Sequence, residues 1–252
     1  MQRRLYLRTV GLAVPGLLLS GWAPARASSA TTVHLVIRDR GSRSARPSDD
    51  SLRKGISLGL ADVAKAAAII GATLDVQHVH GDQPASPPVG APADEVVASQ
   101  VDRGEDAAEA ALRIHTAPLR DWRPDAWSVA SRHADDAEQP VVPQAKGASD
   151  WHPRLVRDGA GQLNERFTRH AGVPMDSAAW RGWMAVRVAF DAALRMLAGE
   201  DDLLAQSFDG HKGQPLRFSE DGHLQQPTYR TGPDGRPVVI APPPPDDDVI
   251  AG

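Results

Sequence analysis

Cysteine is absent from the 252 residues. That excludes disulfides, thiolate zinc sites, iron–sulfur clusters and a cysteine nucleophile. Aromatic residues are scarce, at 5%. No surplus of positive charge exists either: 28 Lys and Arg against 32 Asp and Glu leave a net −4, which offers no electrostatic footprint for nucleic acid. No nucleophile elbow, P-loop, His-Glu-x-x-His helix or dinucleotide-binding glycine turn is predicted. Acids and histidines are present, but no spacing singles out a pair for acid–base work. The chain therefore reads as non-catalytic and without a cofactor.

What is present reads as an exported α/β protein. Hydrophobic residues make up 41%, enough to bury a core. Met1–Ala27 has the plan of an export signal. Arg3, Arg4 and Arg8 form a basic start, Val10–Trp22 is apolar around Pro15, and Ala25-Arg26-Ala27 has the small-x-small form of a cleavage site. The apolar stretch is short for a membrane span. Arg3-Arg4-Leu5-Tyr6-Leu7-Arg8 is similar to a twin-arginine signal, with Gln2 where Ser or Thr is usual. The twin-arginine and Sec routes both stay open. Removing the leader takes away Arg3, Arg4, Arg8 and Arg26 and no acid, so the mature chain is the more acidic. Its expected location is the periplasm.

Val33–Ile37 suits a buried first strand. A polar loop over Arg38–Asp50 leads to Ser48, Asp49, Asp50 or Ser51 as helix cap. Ile56, Leu60, Val63, Ala67 and Ile70 have helical spacing over Ser51–Ile70, with Gly71 as the stop. Thr73–Val79 alternates as a second strand, which completes a parallel βαβ unit. Gln83–Ala93 is proline-rich and reads as loop. Glu95–Ile114 reads as a weakly amphipathic helix. Gln139–Ser149 carries prolines and a glycine and marks a boundary. A short helix is predicted over Gly159–His170, ending near Gly172. A long one runs from a cap at Asp176 or Ser177 to Ala198, with Trp180, Trp183, Met184, Val188, Leu194 and Leu197 on its apolar stripe. Arg187, Asp191 and Arg195 can pair on its wet face. Pro215–Phe218, Leu224–Tyr229 and Pro237–Ala241 read as strands joined by Asp-Gly turns. Residues 242–252 form a Pro/Asp tail expected to be disordered.

Several words carry a family resemblance. They are Trp151-His152-Pro153, Gly159–Phe167, Pro174–Val186, Asp209-Gly210-His211-Lys212-Gly213 and Leu224-Gln225-Gln226-Pro227-Thr228-Tyr229. In this order the chain resembles the type I periplasmic solute-binding proteins of the leucine/isoleucine/valine-binding class. The branch it is most similar to is associated with PQQ-dependent alcohol oxidation and its ABC transporters. Leu119-Arg120, Arg123-Pro124 and Ala130-Ser131-Arg132 resemble the end of that family's first lobe. The resemblance implies two α/β lobes around a cleft: residues 28–139 as the first, and residues 140–241 as a second, shortened one that lacks most of its opening sheet and ends in β-hairpins. A closing cleft needs two walls.

Candidate ligand residues follow. Asp39, Arg40 and Ser42 come after the first strand, where open α/β sheets bind ligands; Arg38 and Arg40 could fix a carboxylate. Ser131 and Arg132 sit at the expected lobe crossover. Trp151 and His152 follow a loop and could form a pocket wall, whereas Trp180 and Trp183 share a helix face and read as core. His78 and His80 share a strand face with Asp82 at its mouth, the weak beginnings of a metal site that needs three or four ligands. The resemblance thus implies a substrate-binding component of an ABC transporter. It would take a small solute, with a permease and a PQQ-dependent dehydrogenase system as partners. Two alternatives stand beside it: an interaction protein that has lost solute binding, and a carrier of a metal or metal chelate.

Overall fold

Strand β1 (Thr32–Asp39) carries a run of apolar residues that can be buried on both faces only inside a sheet with cover on each side, and Val33–Arg38 are all buried. In a computed structural model of the chain, which describes residues 31–39, 47–80, 86, 96–103, 112–118, 139–141, 148–200, 202, 205–220 and 224–240, β1 is an inner strand of a five-stranded sheet. Helix α1 (Pro47–Ile70) follows, then β2 (Thr73–His80), parallel to β1 with Thr32 opposite Thr73. The expected βαβ unit is formed. The helix starts ahead of its expected first residue, Ser51. Pro47 suits a first turn because its missing N–H needs no partner there, and Asp49 and Asp50 complement the positive end of the helix dipole. Gly71 ends it with a positive φ of 71°.

The helix expected over Glu95–Ile114 is corrected. Strand β3 (Val96–Arg103) runs parallel to β1, and β4 (Leu112–Pro118) antiparallel to β3. Val97, Ala98, Ser99 and Val101 are all buried. β-Branched valines fit such a two-sided slot, and tertiary cover overrides local helix preference. Strand β5 (Gln139–Val141) pairs antiparallel with β4. The expected lobe boundary at residues 139 and 140 therefore falls inside a strand of the first sheet. The order is β2-β1-β3-β4-β5.

The second half packs on the same sheet. Helices α2 (Ala160–Ala171) and α3 (Ser177–Leu197) follow a loop, and α3 lies against α1, β1, β3 and β4. Asp176 caps α3 as expected, its Oδ1 accepting from the Ala179 N–H at 2.8 Å. α3 is buried along most of its circumference, not along one stripe. A single hydrophobic cluster joins Val33, Leu35 and Val97 to Trp180, Val186 and Phe208. Beyond α3 lie a three-stranded antiparallel sheet, β6 (Ser207–Asp209), β7 (Pro215–Phe218) and β8 (Leu224–Gln225), and a ribbon of β9 (Thr228–Thr231) with β10 (Pro237–Ile240). Gly232–Arg236 close the ribbon, with Gly235 at φ 73°. The Pro/Asp tail and the leader lie outside the described residues.

α1 and α3 meet through glycines. A Cβ on Gly55 would stand 1.9 Å from the Ala179 carbonyl oxygen, and one on Gly182 2.4 Å from that of Leu52. Backbone cannot yield as a side-chain tip does. Gly182→Ala is expected to lower unfolding free energy in urea by about 1–3 kcal/mol or more, the range for overpacked cores. An unchanged midpoint would show that the helices do not depend on this approach.

Candidate functional site

Parallel strands leave a crevice at their carboxyl ends where neighbouring crossovers diverge. β1 lies between β2 and β3, with both neighbours parallel to it. In register, His78, Ile37 and Val101 form a row across β2, β1 and β3. One step further out, His80 stands opposite Asp39. Val101 and Leu112, from β3 and β4, continue the floor on the far side, and α1 lies over it with Leu52, Arg53, Ile56, Ser57 and Leu60. The cleft measures about 310 Å³, at the lower end of small-molecule sites. Arg38, 6% exposed, borders it from β1, its side chain alternating to the sheet face of Val36 and Val79, and Arg53 stands exposed on α1.

His78 and His80 therefore share a face, as expected, and both line this cleft. Asp39 ends β1 beside them; its side chain lies outside the described residues. Arg40, Ser42, Asp82, Ser131 and Arg132 also lie outside them. Among the described residues no group of three or more His, Asp or Glu side chains could hold a metal ion.

Trp151 and His152, the expected pocket wall, are not among the residues lining this cleft. Trp151 is 2% exposed, stacks on Trp180 with ring centres 6.0 Å apart, and donates from Nε1 to Asn164 Oδ1 at 2.8 Å. His152 accepts the Arg154 N–H at Nδ1 and reaches Thr231 with Nε2. Burial, and then Arg154, hold its pKa below the usual histidine value.

The apolar stripe of α1 does not by itself reveal which of its residues line the cleft. One signal was available. Gly55-Ile56-Ser57-Leu58-Gly59 has the Gly-x-Ser-x-Gly form, and the Ser57 hydroxyl lies 3.0 Å from His170 Nε2. The word is inside a helix and not at a strand-to-helix turn. Helix-interior N–H groups are used by the helix itself, so the N–H after Ser57 is not available as an oxyanion donor. Gly55 and Gly59 instead admit α3.

A second polar cluster, without a local signature in the sequence, is buried beside α3. Asp150, fully buried, accepts from Arg181 Nε at 2.6 Å and from Gln226 Nε2 at 3.0 Å. Gln226 Oε1 accepts from Lys212 Nζ, which also donates to the Pro227 carbonyl at 3.3 Å. Nζ stands 3.6 Å from the centre of the Trp180 ring, with Tyr229 at 5.6 Å. Burial drives the Lys212 pKa well down, Asp150 pulls it back up, and Arg181 lowers it again. Burial, with Asp158 adding to it, pushes Tyr229 up to about 12. No family model matches the chain, and no curated protein matches it significantly.

Lys212 gives a pH signature. With a lowered folded pKa and an unfolded pKa near 10.5, the unfolded chain binds the extra proton between the two. Stability then rises with pH across that window. Tyr229 acts oppositely, but only between pH 10 and about 12. Urea unfolding at pH 7 and pH 9.5 should show the native chain gaining stability relative to Lys212→Met. Parallel pH profiles would count against this assignment.

Proposed function

We propose that the chain is an exported, non-catalytic solute-binding protein related to the type I periplasmic receptors, whose ligand occupies the cleft over His78, Ile37 and Val101. The observation that carries the reading is this cleft at the carboxyl edge of the parallel strands, roofed by α1 and lined by aliphatic and basic side chains. Sites of this kind bury most of a small ligand in apolar surroundings and orient it with a few polar groups. The sequence words over residues 151–229 support the link to an ABC permease and to a PQQ-dependent alcohol oxidation system. The leader-like Met1–Ala27 supports a periplasmic location. Among the described residues no helix is long and apolar enough to cross a membrane.

Seen this way, the fold corresponds to a type I first lobe whose late segment, α3, closes onto the same sheet. The ligand then sits at the edge of one α/β unit, with binding as the output. A second reading, an interaction protein, is favoured by one patch. Ile69 and Ile70, 85% and 55% exposed, end α1 beside a groove lined by Ala64, Ala67, Ala68, Leu74 and Val76.

Thermal shift of the purified protein against carboxylates, alcohols, amino acids, PQQ and metal ions tests the first reading. A ligand at a hundred times its Kd adds about 2.7 kcal/mol of stability. His80→Trp, which fills the mouth of the cleft from an exposed position, is expected to abolish that shift. A stable protein that no solute shifts, but which co-purifies with a dehydrogenase and loses it on Ile69→Asp, would support the second reading over the first.

A further inference from the structure

We infer that His78 and His80 form a two-imidazole chelate for an exchangeable divalent transition-metal ion, Cu²⁺ foremost, at the β2 edge of the cleft. The inference goes beyond the solute-binding reading and does not depend on it. The two residues lie two apart on β2, so their side chains leave the same face. Both line the same space. Their Cα atoms are about 6.7 Å apart at the usual rise of a strand. Two imidazole rings span such a gap onto one ion, at about 2.0–2.1 Å per nitrogen.

The fold presents this pair and leaves it unengaged. Among the described strands β2 pairs with β1 alone, at the edge of the sheet, and both histidines are exposed. Val79, between them, is 3% exposed and packs with Val36 on the opposite face. That anchor, with the ladder to Ile37 and Asp39, fixes the backbone under both rings. Sites carried on strands are held more closely than sites on loops. The other histidine side chains among the described residues have partners: His34 has Asp75, His152 the Arg154 N–H, His170 Ser57 and His211 Asp209. His78 and His80 make no hydrogen bond or ion pair with any described residue.

The donor type selects the ion. Imidazole nitrogen suits Cu²⁺, Ni²⁺ and Zn²⁺, whereas Mg²⁺ and Ca²⁺ take oxygen. Two ligands fall short of the four that close a structural zinc site. They match Cu²⁺ better, because it binds a given nitrogen set most tightly of these ions and accepts a tetragonal arrangement with water in the other positions. Arg53 lines the cleft from α1, but it is exposed, and solvent and salt screen its repulsion of an ion at β2.

Titration of the full chain with Cu²⁺ alone, followed by calorimetry and electron paramagnetic resonance, tests this. One ion per chain is expected at the tightest site, with hyperfine structure from two imidazole nitrogens. His78→Gln and His80→Gln, both at exposed positions, should each weaken that site tenfold or more. His170→Gln, at an exposed position on α2, should leave it unchanged. On the unmutated chain, Cu²⁺ should protect His78 and His80 from carbethoxylation by diethyl pyrocarbonate, a readout that needs no variant to fold. Absence of Cu²⁺ binding, or labelling of the two histidines that the ion does not reduce, would overturn the site. An affinity unchanged in either His78→Gln or His80→Gln would overturn it too and mark an adventitious ion only. None of these outcomes decides whether the cleft takes an organic solute.

Discussion

The backbones of α1 and α3 meet at glycines, with no side chain between them. Gly55, Gly59 and Gly182 leave no side chain where the helices touch, and a Cβ at any of them would meet backbone or a branched side chain at 2.9 Å or less. Helices separated by ordinary side chains lie 8–10 Å apart, and glycines are one way to bring them closer. The consequence is architectural. α3 belongs to the segment expected to build a second lobe, yet it is pinned to the crossover helix of the first. Once there, it covers β3 and β4 and is buried on nearly every side. Ser99 completes the joint by donating to the Ala189 carbonyl at 2.9 Å. One core follows from that contact.

The words that carry the family resemblance meet around the same helix. Trp151 stacks on Trp180, Trp180 Nε1 donates to the Gly210 carbonyl at 3.2 Å, and Lys212 reaches Gln226 and Pro227. Residues distant in sequence therefore converge on a buried chain running Arg181–Asp150–Gln226–Lys212. An ion pair in such a place gains little net free energy, because desolvation offsets the attraction, but losing one partner strands the other. Its members are therefore interdependent. Their role in the fold is to fix how the loop before Trp151, the start of α3 and the β-rich end sit together. These words identify a way of folding; the cleft is lined by other residues.

That division explains how much was legible. β1, α2, α3 and β7 announce themselves through apolar runs, helical spacing, an Asp cap and flanking glycines, all local signals. The pairing of His78 with His80 on one face needed only the strand's period of two. β3 is not legible locally because Ala98 and Ser99 say little alone; what makes Val96–Arg103 a strand is α3 lying across it, a contact ninety residues away in sequence. Lys212 gave no local sign of burial, since lysine is rarely buried without a partner, and its partner is set by the fold. The lining contributed by α1 was hidden for a related reason. Arg53, Ser57 and Leu60 face the cleft only because Gly55 and Gly59 turn the opposite side of the helix toward α3.

The same glycines bear on how a ligand would be held. α1 is the roof of the cleft, and a receptor that closes over its ligand must move one wall against another. Here the roof is locked to α3, and α3 is locked to β3 and β4, which supply part of the floor. Roof and floor are thus parts of one packed body, and packed cores are not continuously deformable. A cleft built this way gains affinity by being formed before the ligand arrives, since little side-chain or loop ordering then opposes binding. A ligand held there would be discriminated by the shape of the apolar side, and its occupancy would register as added stability instead of hinge closure.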